Sequence, residues 1–155
     1  MTSIYSIKEM IQKSINREGL SHDLYLEWSE KVVDSEAREL LRSLAKDEKM
    51  HQAILQKMLR DGKVVDLVEK NIGTMIAPVA RPPAVGELTQ ESTAKEFISF
   101  SIHHEELAIQ YYSRYMDIFR ETELFPFFET MRGEEQRHKI KLEKIFLKKY
   151  AGRKV

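Results

Sequence analysis

Two short stretches decide the fold of this chain: KDEKMHQAIL at residues 46–55 and EEQRHKIKL at residues 134–142. Each contains a glutamate followed three residues later by a histidine, first Glu48 with His51 and then Glu135 with His138. Residues three apart on an α-helix share a face, and apolar residues lie on the same stripe in both stretches. We therefore expect both pairs to point into the protein rather than into solvent.

The two stretches belong to an internal duplication with an offset of 87 residues. A single Glu-x-x-His sequence carries little weight, but two copies in matching register indicate a repeated helical hairpin. The residues that this offset superposes without a gap include Lys8 on Lys95, Glu9 on Glu96, Ile11 on Ile98, Ser14 on Ser101, Ile15 on Ile102, Glu18 on Glu105, Leu20 on Leu107, Tyr25 on Tyr112, Leu55 on Leu142 and Lys57 on Lys144.

Apolar residues at three- and four-residue steps predict two long helices in the first half of the chain. The first is expected over about residues 7–33, with the capping-box sequence Ser6-Ile-Lys-Glu9 at its start. The second is expected from an N-cap at Asp34 or Ser35 to residues 61–62.

The second half of the chain repeats this pattern after a long connection. Residues 61–92 contain three of the four prolines and three of the six glycines, which predicts a crossover. The third helix is expected from the capping box at Thr93 to about residue 119, and Thr122 is expected to cap the fourth, whose first turn tolerates Pro126. The prediction is an all-α four-helix bundle forming one domain over residues 1–155, with hairpin repeats at about 6–60 and 93–147.

The two hairpins are expected to bring six polar side chains to one level. Glu18 and Glu48 lie 30 residues apart, with the turn at their midpoint. The chain climbs and descends by about 15 residues, or roughly 22 Å, so the two glutamates end level with each other. The second hairpin has the same spacing, which predicts convergence of Glu18, Glu48, His51, Glu105, Glu135 and His138.

Such a cluster is costly to bury without a counter-charge, because each ionised carboxylate loses its hydration and like charges repel. Two divalent cations would balance four carboxylates. An oxygen-rich ligand set with one histidine per metal and no sulfur favours iron or manganese over structural zinc. The sequence therefore predicts a dinuclear site holding Fe/Fe, Fe/Mn or Mn/Mn.

Composition excludes several other functions. The chain has 25 basic and 25 acidic residues, which argues against nucleic acid as a partner. It has no cysteine, which excludes disulfides, thiolate metal sites and thiol catalysis. No apolar stretch reaches membrane-spanning length and lysines interrupt the N-terminal segment, so we expect a cytoplasmic protein without a membrane partner. A homodimer or larger homo-oligomer is expected, because bundles of this size often pair along apolar stripes.

With these motifs the chain resembles the ferritin-like di-iron carboxylate family, in its rubrerythrin-like branch, from Ser6 to about Leu147. In that pattern one glutamate from each of two helices joins Glu-x-x-His from each of the other two. The branch also has a signature of glutamate, a small residue three positions later and tyrosine seven positions later. Its two copies here are Glu18, Ser21, Tyr25 and Glu105, Ala108, Tyr112.

The resemblance implies an up-down-down-up bundle whose reduced di-iron centre reacts with dioxygen or hydrogen peroxide. It implies ferroxidase, oxidase or peroxidase chemistry in oxidative-stress defence or iron handling, with ferrous iron and an external electron donor as partners. By this resemblance the terminal carboxylates are Glu18 and Glu105, the bridging ones are Glu48 and Glu135, and the imidazole ligands are His51 and His138.

The chain departs from the rubrerythrin pattern in two ways. Ala108 stands where that branch carries an additional glutamate, and the chain lacks the cysteines of the usual rubredoxin module. These departures favour a simpler ferroxidase-like or oxidase-like centre with four glutamates and two histidines. Three hypotheses stay open: a di-iron oxidoreductase, an iron-storage or metal-binding protein without turnover as its main role, and a metal-free structural bundle.

The residues near the predicted ligands are expected to have different roles. Tyr25 and Tyr112 are predicted to hydrogen-bond ligand carboxylates, with ordinary core packing as the alternative. His22 is expected to be a bonded core or interface histidine rather than a ligand. His103 and His104 are expected to face solvent or a neighbouring subunit. The glutamates adjacent to two ligands, Glu106 and Glu134, are expected to lie outside the site because they sit about 100° away around the helix.

Overall fold

The structure is a computed structural model that describes residues 2–72, 75–78 and 88–152. It is a helical bundle, as predicted, in which α1 packs along α2 and α4 packs along α5. The elements in chain order are β1 (Thr2–Tyr5), α1 (Ile7–Lys31), α2 (Ser35–Asp61), α3 (Lys63–Ile72), β2 (Met75–Pro78), α4 (Ala94–Ile118) and α5 (Phe125–Ile145), which continues into a π-helical turn (Phe146–Tyr150).

Side-chain caps begin three of the four long helices. The Ser6 hydroxyl accepts a hydrogen bond from the Glu9 N–H at 3.1 Å, and the Asp34 carboxylate accepts from the first amides of α2. Thr93 forms a complete capping box at the start of α4. At the other end of α2, Gly62 has a φ of 71°, which glycine adopts without steric cost.

The prediction that Thr122 caps the fourth helix was wrong. The helix begins at Phe125, and its N-cap residue, Leu124, makes no side-chain capping hydrogen bond. The Thr122 hydroxyl instead serves the preceding turn, donating to the Phe119 carbonyl at 2.7 Å and accepting from the Leu124 N–H at 3.2 Å. Pro126 in the first turn has no N–H, which leaves one fewer amide in need of a cap.

The connection after α2 contains regular structure that the sequence analysis did not predict. α3 buries Val65 and Val68 in the core, although a ten-residue helix is marginal in isolation and depends on such packing. β2 pairs antiparallel with β1, from Thr2 opposite Pro78 to Tyr5 opposite Met75. Residues 73–74 and 79–87 of the predicted crossover lie outside the described part of the chain.

Within the described residues, the apolar core is divided into two clusters. One contains residues from the starts of α1 and α5 and the ends of α2 and α4, including Ile11, Leu55 and Phe128. The other contains residues from the opposite ends of the same helices, including Trp28 and Leu41. Among the described helices, none has both the length and the apolar character that a membrane crossing needs.

Candidate metal centre

The structure brings all six predicted site residues together. They lie midway along α1, α2, α4 and α5, between the two apolar clusters, and each is at most 5% exposed. Their ligand atoms form two groups, in each of which the atoms lie within 4.8 Å of one another. The groups are Glu18, Glu48, His51 and Glu135, and Glu48, Glu105, Glu135 and His138.

Two glutamates, Glu48 and Glu135, belong to both groups. Each group therefore contains three carboxylates and one imidazole, which is a donor set that could hold a metal ion. Glu48 and Glu135 can belong to both groups because each lies one helical turn from the histidine of its own Glu-x-x-His motif and also faces the other hairpin.

The two imidazoles present the same nitrogen to the carboxylates. His138 Nδ1 lies 3.0 Å from Glu48 Oε1 and 3.5 Å from Glu105 Oε1. His51 Nδ1 lies 3.4 Å from Glu135 Oε1 and 3.7 Å from Glu18 Oε2. The rings stack with their centroids 5.9 Å apart and their planes 14° from parallel.

Several buried polar atoms of this cluster have no hydrogen-bond partner among the residues that the structure describes. A buried donor or acceptor left without a partner costs about 1–3 kcal/mol, so native proteins contain few of them. A set gathered at one point indicates a ligand that satisfies them together, and oxygen and imidazole nitrogen are donors that divalent cations accept. The unpartnered atoms are Glu18 Oε2, Glu48 Oε1 and Oε2, Glu105 Oε2, Glu135 Oε1, His51 Nδ1 and His138 Nδ1.

Two tyrosines hold the outer carboxylates by hydrogen bonds that cross between the hairpins. The Tyr25 hydroxyl on α1 donates to Glu105 Oε1 on α4 at 2.5 Å, and the Tyr112 hydroxyl on α4 donates to Glu18 Oε1 on α1. Both phenols are fully buried. One oxygen of each outer glutamate is thereby fixed, and the other oxygen, Oε2 in both, has no hydrogen-bond partner among the described residues.

Mutual repulsion in a dry site alters the acidity of the carboxyls. Burial raises the pKa of Glu48 well above its usual range, and the charges of Glu135 and Glu18 raise it further. Burial together with the charges of Glu105 and Glu18 raises the pKa of Glu135 to about 8. For Glu18, the neighbouring side chains of Glu48 and His51 outweigh burial and lower the pKa to about 2. The carboxyls of Glu48 and Glu135 are therefore harder to ionise than ordinary glutamates when no cation is bound.

The imidazoles respond in the opposite sense. Burial acts to lower the pKa of His51, but the nearby carboxylates of Glu135 and Glu18 outweigh burial and raise it to about 12. Interactions with Glu105 likewise overcome burial and raise the pKa of His138 to about 9. The metal-free cluster thus holds protons that a bound cation would displace.

The prediction that His104 faces solvent or a neighbouring subunit was wrong. Its side chain is buried, with Nε2 2.8 Å from Ser21 Oγ and the ring edge-on to Tyr25. Burial and the charge of Arg17 lower its pKa to about 4. Its repeat partner is Arg17, which suggested an exposed position. The signal that would have located it is a stripe at three- and four-residue steps: Phe97, Ser101, His104, Ala108, Tyr111 and Tyr115.

The other histidines follow the sequence predictions. His103 is largely exposed, with Nδ1 3.9 Å from Glu106 Oε2. His22 is partly buried and its Nδ1 lies 2.8 Å from the Ala45 carbonyl, as expected for a bonded core histidine. Of the two glutamates expected outside the cluster, Glu106 also pairs with Lys139 at 3.3 Å.

One residue at the cluster was missed by the sequence analysis. Asp47 Oδ2 lies 3.1 Å from His138 Nε2, the ring nitrogen on the side away from the carboxylates. The two residues are on different helices, so helical periodicity gives no signal for the contact. The only indication in the sequence is that Asp47 directly precedes Glu48.

The bundle and its buried layer of four carboxylates and two imidazoles define the class: a ferritin-like helical bundle with a candidate metal centre. The family model described as Rubrerythrin matches residues 2–80, about half of the chain, including three of the six cluster residues. The chain belongs to the rubrerythrin family, a ferritin-like di-iron family. Comparisons with curated proteins and with solved structures gave no match.

Proposed function

We propose that this chain is a non-haem di-iron carboxylate protein that reacts with dioxygen or hydrogen peroxide, as an oxidoreductase of ferroxidase or peroxidase-like type. The observation that carries the proposal is the set of unpartnered oxygen and nitrogen atoms buried at one point of the bundle. Membership of the rubrerythrin family supports iron as the metal.

The six cluster residues match the needs of two cations in number, charge and chemistry. One ion would bind to Glu18 and His51 and the other to Glu105 and His138, while the shared Glu48 and Glu135 would bridge them. Two divalent ions balance four carboxylates, and the protons held by the metal-free cluster would leave on binding. When bound, the iron ions supply electrons for the reduction of dioxygen or peroxide.

The protein surroundings of the site have separate roles in this proposal. Tyr25 and Tyr112 orient the outer carboxylates, and loss of either bond would free a ligand to rotate. The apolar clusters on both sides limit water, which strengthens every charge interaction between them. Ferrous iron and the oxidant are the expected small-molecule partners, with an external electron donor, a homo-oligomeric state and a cytoplasmic location as parts of the same proposal.

To test this, the protein is loaded with ferrous iron without oxygen and then exposed to air or to hydrogen peroxide. The near-ultraviolet absorption of the ferric iron is recorded over time. We expect this absorption to rise quickly in wild type and not to rise in the Glu135→Ala variant. The matched control is Glu134→Ala, which removes the adjacent glutamate outside the cluster and should oxidise iron at the wild-type rate. An equally fast rise in both variants would overturn the proposal. Bound iron that oxidises once and is retained without turnover would favour the storage hypothesis.

A further inference from the structure

The two halves of the cluster differ at the outer edge of their imidazoles. His138 Nε2 lies 3.1 Å from Asp47 Oδ2. Among the described residues, every carboxylate within ion-pair distance of His51 lies at Nδ1, on the cluster side. Offset by 87 residues, Asp47 corresponds to Glu134, which pairs with Arg137 rather than with His51. The internal duplication therefore does not extend to this contact.

The contact with Asp47 fixes the tautomer and the orientation of the His138 ring. A carboxylate only accepts hydrogen bonds, so the proton of a neutral His138 is held at Nε2 and the Nδ1 lone pair points at the carboxylates. The same bond restrains rotation of the ring. His51 lacks this restraint among its described contacts, and its Nδ1 lies farther from the nearest carboxylate oxygen, at 3.4 Å against 3.0 Å for His138.

We infer that the two metal positions bind with unequal affinity and that Asp47 is the positioning residue that makes the His138 position the tighter one. The inference rests on the proposed metal centre. Outer carboxylates that orient a histidine ligand typically contribute 10- to 100-fold in metal affinity. The first cation therefore binds at Glu48, Glu105, Glu135 and His138, and the second completes the group that contains His51.

The experiment is calorimetric titration of the full metal-free chain with Mn²⁺, which binds to oxygen and imidazole donors without reacting with air on the timescale of the measurement. Wild type should show two binding steps. Asp47→Ala should weaken the first step 10- to 100-fold and bring it close to the second. Asp47→Asn keeps an acceptor oxygen and should recover most of that loss, which a merely structural role for Asp47 would not explain.

Two controls assign the steps and separate the possible failures. Glu134→Ala removes the repeat counterpart of Asp47 and should leave both steps within about twofold of wild type, as expected for a surface change. His138→Ala should abolish the tighter step and His51→Ala the weaker one. Two identical steps in wild type, or equal weakening of both steps in Asp47→Ala, would overturn the inference and leave the metal centre standing. Absence of any Mn²⁺ binding by wild type would count against the metal centre itself.

Discussion

Glu48 gives the sharpest contrast between a functional and a structural interpretation of the cluster. It is fully buried, both of its carboxylate oxygens lack hydrogen-bond partners within the described part of the chain, and two other glutamates repel it. If the cluster exists to hold metal, it destabilises the metal-free fold. Replacing Glu48 with methionine, an apolar residue of similar length, should then stabilise the metal-free protein and weaken metal binding at the same time.

The magnitude follows from the behaviour of buried ionic groups. Exchanging a whole buried ion pair for apolar side chains of similar volume often stabilises a protein by about 1–4 kcal/mol. We use the same range for Glu48 alone because four carboxylates outnumber two imidazoles in the cluster, so that one carboxylate can be removed without leaving an unbalanced imidazole. For a chain of about 150 residues, each kcal/mol shifts the midpoint of thermal unfolding by about 2–4 °C. We therefore expect Glu48→Met to raise the midpoint of the metal-free protein by between about 2 and 16 °C.

The assay is differential scanning calorimetry after chelator treatment and again with excess Mn²⁺. Wild type should gain stability from the metal, by about 2.7 kcal/mol for each bound ion at a free concentration of 100 times its Kd, whereas the variant should gain far less. Glu39→Met is the matched control, because Glu39 is an exposed glutamate on the same helix and should change stability by less than about 0.5 kcal/mol. A metal-free Glu48→Met protein that is less stable than wild type would refute the reasoning.

Three further predictions test the surroundings of the site. Burial opposes ionisation of Asp34, but a hydrogen bond from Tyr150 and other donors outweigh it and lower the pKa to about 2 from an ordinary 3.8. The ionised Asp34 therefore stabilises the folded state above pH 4, and this contribution is lost as the pH falls towards 2. In Asp34→Asn, the free energy of unfolding should consequently fall less steeply with decreasing pH in this range. A variant with an unchanged pH dependence would argue against this linkage. Tyr112→Phe removes the donor to a buried carboxylate and should lower the free energy of unfolding in urea by about 1–3 kcal/mol; no loss would mean that the bond contributes nothing. Phe128→Ala should cost about 3–5 kcal/mol by the same measurement, because the ring is fully buried and stacks on neighbouring aromatic residues; a cost below 1 kcal/mol would contradict its place in the core.

The convergence of the six site residues was predictable because it depends on two regular quantities. Helical periodicity placed each histidine beside its glutamate, and equal arm lengths about each turn brought the glutamates level. The duplication supplied the second half of the cluster by analogy. The predicted starts of the long helices that have side-chain caps, Ser6 for α1 and Thr93 for α4, were also close to the observed starts.

The features that the sequence analysis missed depend on contacts between elements. α3 and the β1–β2 pair are short, so their local patterns were weak and their stability depends on packing. His104 was misplaced because its repeat partner is charged, although the two copies diverge there and α4 buries a wider face. Asp47 on α2 contacts His138 on α5, and the sequence pattern of a single helix does not predict a contact between two helices.

The most direct test of a dinuclear metal centre is the number of metal ions bound per chain, determined by equilibrium dialysis against ferrous iron without oxygen and elemental analysis of the dialysed protein. Such a centre predicts two ions per wild-type chain, with binding lost in a Glu48→Ala, Glu135→Ala double variant that still folds. A wild-type chain that binds no metal, or that binds as much as the double variant, would contradict it.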